Sequence, residues 1–434
     1  MERLVGIDWG EESHQVELQK EDGTVVFNEA FSATVEGRQK LCDRLLSGCE
    51  DPQNIKVGIE DPSCPVVRLL ADAGMEVFVI PPLKLDKLRE VYSQAGAKDD
   101  VLDAHVICEE LRVHRNVFYR LKFKHPVVES LSQYFRAYQN ATEDVSRYTN
   151  RLRHLLRDYF PQFLELNWSV KERVMLELFE LISSPRQVDE VTLEQINQAL
   201  GKCRKHSASE ILDILRAETA EVPDRVVDAR QMIARSQAQN LRAAKRQCDQ
   251  YKTKIEALLE EISEKQKSGE LPSAALASET QQDAPEQAEG EDESLSDVEI
   301  IESTLGVGTI ATAGLVAEGF EALVTLDRQL LRRQSIAPVT IQTGKQSSSG
   351  QGPPPQVRRR YARNHHLNDT MHQIGDCLQR SNSHYRARYE GMKERNHTHG
   401  RACRQLTDQY LRVLFAMLRD RTLYDPAMHG ATRT

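Results

Sequence analysis

Four acidic positions carry the chemistry that this sequence is best equipped to do. Asp8 follows an apolar run in GIDWG, Glu60 ends KVGIE, and Asp100 and Asp103 stand in AKDDVLDAHVICEEL. The D-x-x-D spacing of the last two puts both carboxylates on one helix face. Four carboxylates brought to one place repel one another unless a divalent cation neutralises them. Oxygen donors of that charge suit Mg²⁺, held together with water and phosphate oxygens. Each acid also has a plainer reading, Asp8 as a turn residue and Asp103 as a solvated helix charge, while Asp61 competes with Glu60 and Asp99 with Asp100. A second stretch, QTGKQSSSG over residues 342–350, sets Thr343, Ser347, Ser348 and Ser349 beside Lys345. A hydroxyl there can attack a phosphodiester once it loses its proton. Lys345 and the nearby Arg358, Arg359, Arg360 and Arg363 are suited to a nucleic-acid backbone, or to a solvated basic face.

The elements that must position these groups follow from the patterning. Residues 3–9, 14–20 and 24–28 read as three short strands, two of them joined by the turn Glu21-Asp22-Gly23. A helical stretch, GRQKLCDRLLSGC, a strand at 55–61, a helix around 66–73 and a strand at 75–82 ended by two prolines complete an α/β domain with a mixed sheet, residues 1–125. From Pro126 apolar residues recur at helical spacing, with dense charge between them, over 127–159 and 224–265. These are long helices, the second a candidate coiled-coil arm, with a small helical insertion at 160–223; together they make a helical region over 126–265. Segment 266–298 reads as an acidic disordered linker, and 299–434 as a mainly helical C-terminal domain. That domain opens with a helix, a turn containing Gly306 and Gly308, and a second helix, an arrangement whose backbone N–H groups can hold a phosphate. The fold class expected is therefore α/β plus α.

The net charge of −9 argues at first against a nucleic-acid partner, but ten acids lie in 268–299 with no Lys or Arg, leaving the remainder near +1. Residues 299–434 hold nineteen Lys and Arg against twelve Asp and Glu, so the basic character is concentrated there. Eight cysteines occur without a CxxC or CxxH pair, the pattern of reduced cytoplasmic thiols and not of a disulfide framework or zinc site. No apolar run approaches membrane-helix length and the first residues enter a strand, so a cytoplasmic protein with no membrane partner is expected. His397 and His399, in NHTHGR, are two apart and do not share a helix face; they read as polar loop contacts. The run Arg147, Tyr148, Arg151, Arg153, His154 and Arg157 suits RNA or an ordinary charged helix face.

GIDWG, the strand ending in Glu60, and K-x-D-x-x-D-A at Lys98–Ala104 resemble the RuvC-like, RNase H-type domain of the DEDD transposases of the insertion sequence 110 family, which includes the Piv-type invertases. By match of motif Asp8, Glu60, Asp100 and Asp103 fill its four acidic positions. LGVGTIATAGLVAEG, SIAPVTIQTGK, RRRYARN, HTHGRACRQLTDQYLRVLFAMLRD and LYDP resemble the motifs that follow, so the likeness covers nearly the whole chain apart from the acidic linker. It implies a DNA transposase or site-specific recombinase with a Mg²⁺-dependent acidic site and a nucleophile that forms a 5′-phospho-protein link. It further implies donor and target DNA as partners, a structured non-coding bridge RNA as guide, and dimers joining into a tetramer through helical arms. The composite site can form between subunits. The family pattern P-V-T-x-x-S-G-K places its serine at Thr343, where threonine keeps the hydroxyl but adds a methyl that stiffens χ1.

Other classes stay in view. A RuvC-like nuclease can cleave by two metals with no hydroxyl nucleophile. A binding-only relative would keep the architecture without the chemistry. An actin- or sugar-kinase-type ATPase also begins with a strand ending in Asp-x-Gly, but needs a second phosphate loop where long charged helices stand.

Overall fold

The computed structural model describes residues 2–92, 99–218, 222–274, 295–341, 356–360 and 363–429. They fall into two compact units, Met1–Phe123 and Lys124–Thr434. No helix among the described residues is long and apolar enough to cross a membrane.

The first unit is α/β. Its strands β1 (Arg3–Trp9), β2 (Ser13–Lys20) and β3 (Val25–Ser32) precede helix α1 (Val35–Leu46). Strand β4 (Ile55–Ile59), helix α2 (Pro65–Asp72), strand β5 (Glu76–Val79), helices α3 (Pro82–Tyr92) and α4 (Asp100–Val113) and strand β6 (Tyr119–Arg120) follow. The sheet order is β3-β2-β1-β4-β5-β6. Strands β1, β4 and β5 are parallel, the others antiparallel to their neighbours. Where the prolines at 81 and 82 suggest only the end of a strand, the strand stops at Val79 and Pro82 opens α3. Proline is tolerated there because the first helical N–H has no intrahelical partner.

Alternation sends Val5, Ile7, Val57 and Ile59 into the core beneath α1 and α2. Leu4, on the opposite face, packs with Ile107, Cys108 and Leu111 of α4. Gly6 and Gly58 lie on that second face and are register partners. A Cβ on Gly6 would stand 2.1 Å from the Ala104 carbonyl oxygen, and one on Gly58 2.8 Å from the Ile107 side chain. The glycine pair is therefore a trough in which α4 lies directly on the sheet. A polar knot fixes its roll: buried Glu17 of β2 is bonded to His105 Nδ1 of α4 at 2.8 Å and accepts from Asn28 Nδ2 at 2.7 Å and Gln19 Nε2 at 2.6 Å.

The second unit is built on two long helices, α5 (Pro126–Tyr159) and α10 (Asp224–Lys267), with α6 (Gln162–Glu165), α7 (Arg173–Leu181), α8 (Leu193–Leu200) and α9 (Ala208–Leu215) between them. The long pair is antiparallel: Tyr134 meets Tyr251 with ring centroids 6.2 Å apart, and Arg230 donates to the Asp158 carbonyl at 3.1 Å. Buried alanines, Ala141, Ala234, Ala238 and Ala244, allow close approach along the shafts. One end of the pair packs with the insertion, through Leu152, Leu156 and Leu241 against Phe160, Phe163, Phe179 and Ile211. The other end, through Leu131, Phe135, Ile255 and Ile262, shares a core with residues from 298 onward.

That core contains α11 (Asp297–Glu302), α12 (Thr309–Val324), α13 (Arg328–Gln334), α14 (His365–Ser381), α15 (Ser383–Glu394) and α16 (His399–Asp420), with a hairpin of β7 (Pro338–Ile341) and β8 (Gln356–Arg359). The segment 266–298, expected to be a disordered linker throughout, is folded at both ends. Leu271 and Ala274 are fully buried, and the Asp297 carboxylate accepts from Gln266 Nε2 at 3.1 Å, from Ala274 N at 3.0 Å and from Arg421. The apolar and capping residues at its margins, not its acidic middle, decide this. Residues 275–294 lie outside the described residues.

Substituting Gly6→Ala is expected to lower the unfolding free energy by roughly 2–4 kcal/mol, since the new methyl meets a backbone carbonyl that cannot give way. Gly308→Ala, where a Cβ meets nothing within 4 Å, is the matched control and should change it little. Urea denaturation of the full chain checks both.

Candidate functional site

The trough in the sheet also sets the acids. Asp8 lies two residues beyond Gly6 and Glu60 two beyond Gly58, so strand alternation turns both to the α4 face at the carboxyl ends of parallel neighbours. Asp100 and Asp103 stand in the first turn of α4, where the helix N-terminus favours negative charge. The competing acids have other tasks. Asp99 caps α4 by accepting from Val101 N at 3.1 Å, and Asp61 accepts from Ser63 N at 2.8 Å and Ser63 Oγ at 2.6 Å.

Burial and the charges of Asp103 and Asp100 push the Asp8 carboxyl up to about 6; Arg89 opposes them and Glu60 adds to them. Asp8 therefore feels the charge of each of the other three acids in this fold. Asp103 is not a solvated helix charge: it is 1% exposed. Arg89 of α3 holds it with a two-pronged contact, Nε to Oδ1 at 2.5 Å and Nη2 to Oδ2 at 2.8 Å. The same guanidinium lies 2.6 Å from Asp86 and 3.7 Å from Glu60. It is a resident cation among the acids, and patterning alone did not single it out because α3 itself was hidden behind the prolines. The cluster's donors are all oxygen, the type a hard divalent cation takes, and the raised Asp8 registers an excess of negative charge; among the described residues, though, no three of these acids are grouped with ligand atoms within 4.8 Å of one another. The guanidinium and such a cation compete for the same carboxylates.

The C-terminal residues are placed as follows. Thr343, Lys345 and Ser347–Ser349 fall between β7 and β8 in the chain and lie outside the described residues, as does Lys98. Arg358 is exposed on β8, and Arg363 Nη1 donates to the Arg360 carbonyl at 2.7 Å; of the Arg359 side chain nothing is described. Gly306 has φ of +99°, and an added Cβ would lie 3.2 Å from Ser381. Beside Thr309, which follows Gly308, is a 420 Å³ cavity whose lining includes Glu256, Glu260, Glu264, Glu299 and Glu302, a setting that repels phosphate. His397 Nδ1 meets Gln405 Oε1 at 3.1 Å, the polar contact expected of it.

A basic concavity of 580 Å³ went unnoticed in the sequence. Arg332, Arg401 and Arg404 line it with Ile336, Pro338, Gln405 and Asp408. Asp408 is shared by three arginines: Arg332, Arg328 at 3.8 Å and Arg412 at 3.7 Å. One carboxylate cannot neutralise them all. The available signal was the R-x-x-R spacing at 401 and 404, which puts both on one helix face. Pro338 ties this concavity to the start of β7, the strand that leads towards Thr343.

Two predictions come from the acid cluster. Because the folded state holds the Asp8 proton more tightly than the unfolded chain, this group costs stability as pH rises from about 4 through 6. Asp8→Asn in EDTA should therefore raise stability at pH 7.5 by about 1–2 kcal/mol, allowing for solvent screening, and the gain should vanish near pH 4. Added Mg²⁺ should narrow the gap by stabilising only the parent. Arg89→Ala should lose about 2–4 kcal/mol in EDTA, because buried Asp103 loses its partner, yet reach half-maximal thermal stabilisation at lower Mg²⁺.

The profile of transposases of the IS110 DEDD type matches residues 5–161, that is, the acidic unit and all of α5. A putative transposase, y4uE, of Sinorhizobium fredii is 33% identical over 201 residues, 46% of this chain and 56% of the relative, so the match spans little more than half of that protein. The mini-circle putative transposase for IS117 of Streptomyces coelicolor is 27% identical over 97% of this chain and 94% of its own length. An uncharacterized 43.6 kDa protein of insertion element IS110 from the same organism is 24% identical over 82% of this chain and 79% of its own. The acids of the first unit thus lie within the stretch that matches DEDD transposases of the insertion sequence 110 type, and the likeness to the IS117 relative runs through both units.

Proposed function

We propose that this protein is a Mg²⁺-dependent DNA transposase and site-specific recombinase, with an RNase H-type, RuvC-like first unit and Thr343 as its nucleophile. The observation that carries the reading is the placement of Asp8 and Glu60 at the carboxyl ends of parallel β1 and β4, with Asp100 and Asp103 in the first turn of α4 adding their charge at Asp8. The strand order, with three antiparallel strands followed by parallel β4 and β5, supports the RNase H-type assignment. Asp8, Glu60, Asp100 and Asp103 would hold Mg²⁺, which supplies stabilisation of charge on the phosphate and favours ionised hydroxyls.

The chain's own residues do the rest. The Thr343 oxygen bonds to phosphorus as the bond to the 3′-oxygen breaks; the proton leaves the hydroxyl, and another reaches the 3′-oxygen. The phosphoester is conserved as a 5′-phospho-protein link, so a 3′-hydroxyl can attack it, rejoin DNA and release Thr343 without ATP. Arg332, Arg401 and Arg404 hold the backbone of the strand under attack, together with Lys345, Arg358, Arg359, Arg360 and Arg363. The threonine methyl crowds an in-line approach and slows the step relative to serine. Exposed Arg151, Arg153 and Arg157 on α5 support a structured non-coding RNA as guide for donor and target DNA. The long antiparallel pair supports assembly of dimers into a tetramer through coiled-coil arms.

A metal-dependent nuclease is the second reading, favoured by the fact that all four acids belong to the first unit and need no hydroxyl from the second.

The test is strand joining by the purified protein with the RNA transcribed beside its reading frame, donor and target DNA, and Mg²⁺. The parent should give joined products and a covalent protein–DNA adduct; Asp8→Asn should abolish both, by at least ~10³-fold. Thr343→Ala should remove the adduct, and Thr343→Ser should joins strands faster than the parent. A Thr343→Ala protein that joins DNA as well as the parent rejects the nucleophile. Cleavage that persists without any adduct establishes the nuclease.

A further inference from the structure

The expectation that no cysteine takes part in a metal site rests on the absence of CxxC and CxxH pairs, but pairs four apart on two facing helices escape that search. Helix α14 carries His372 and Asp376 one turn apart, and α16 carries His399 and Cys403 one turn apart. The two helices are in close contact because Gly375 has no side chain: a Cβ there would lie 2.4 Å from the Cys403 carbonyl oxygen. Thr407 Oγ1 donates across the same crossing to the Met371 carbonyl at 2.7 Å.

At that crossing Asp376, His399 and Cys403 bring their donor atoms within 4.8 Å of one another. His399 Nε2 is 3.7 Å from Asp376 Oδ1 and 3.6 Å from Cys403 Sγ. Bonds of about 2.0 Å to nitrogen and oxygen and 2.3 Å to sulfur give tetrahedral edges of about 3.3–3.5 Å, so the two edges that meet at His399 need to contract by only a few tenths of an ångström. His399 Nδ1 is occupied by the Tyr389 hydroxyl at 2.8 Å, which leaves Nε2 as the free donor and fixes the ring. Cys403 is fully buried while His399 is about half exposed, so one side of the triangle is closed and the other open to water. The His372 ring stands edge-on to His399, centroids 5.7 Å apart. Arg380, paired with Asp376, is the cation that would have to yield.

We infer that Asp376, His399 and Cys403 form a Zn²⁺ site that clamps α14 to the first turns of α16, with water in the fourth position. Mixed nitrogen, sulfur and oxygen donors select zinc over Mg²⁺. On binding, the Cys403 thiol releases its proton to solvent and the sulfur ligates as thiolate. The site is separate from the acid cluster and independent of the transposase chemistry proposed above. Its consequence lies on the opposite side of α16, where Arg401 and Arg404 line the basic concavity: the clamp sets the helix that carries them.

Co²⁺ is the probe, titrated into the full-length protein under reducing conditions. One equivalent should produce a thiolate-to-cobalt charge-transfer band in the near ultraviolet, displaced by Zn²⁺. Cys403→Ser should lose the band, His399→Gln should weaken Co²⁺ binding at least about tenfold, and Cys377→Ser, altering a neighbouring thiol on α14, should leave both unchanged. Absence of the band in the parent, or an undiminished band in Cys403→Ser, overturns the site. Should Cys403→Ser fail to fold, His399→Gln decides: it alters a half-exposed ring, and unchanged cobalt affinity there also overturns it.

Discussion

The first unit depends on a single steric allowance: two glycines in register on adjacent parallel strands. Gly6 and Gly58 leave no side chain between the sheet and α4, and the Ala104 carbonyl occupies the space a methyl would need. Because the helix sits that deep, its first-turn acids are carried on the same face of the sheet as Asp8 and Glu60. The acids are thus turned to the same side of the unit, and the effect is visible in the Asp8 carboxyl, raised by burial and by the charges of Asp103 and Asp100, and in the arginine placed among them. Such a cluster stores electrostatic repulsion that a bound cation relieves, which is how a site can be both destabilising to the fold and ready for its ligand.

The second unit solves a different problem, how to keep two helices of 34 and 44 residues from fraying. Neither length nor propensity suffices in water; the packing of apolar faces does. Small residues along the shafts let the helices meet, and a separate core anchors each end. Around the C-terminal core the polar groups are organised by shared carboxylates. Asp297 joins the tail of α10 to Arg421, and buried Glu318 pairs with Arg136 of α5 at 2.7 Å while accepting from Asn364 at 2.7 Å. A buried carboxylate of this kind fixes geometry because breaking any partner leaves charge unsolvated.

Much of the architecture was legible in the chain. Alternating apolar residues located β1 and β2, and helical spacing located α5 and α10 to within two residues at their ends. What misled was punctuation and composition. The Pro81-Pro82 pair reads as a stop, yet Pro82 starts the helix that delivers Arg89. The acidic composition of 266–298 reads as linker, yet Leu271, Ala274 and Asp297 at its margins are core residues.

The sequence by itself determined the chemical inventory: four acids at strand ends and on a helix turn, a basic C-terminal part, and a threonine beside a lysine in QTGK. Those properties are local, carried by residue type and spacing. Tertiary structure alone decided which groups act on one another: Arg89 with Asp103, three arginines around Asp408, and His399 with Asp376 and Cys403. These partners come mostly from different elements, and at the crossing of α14 and α16 their meeting depends on the close approach that Gly375 allows. Spacing along a chain does not encode how closely two helices can pack until both surfaces are known.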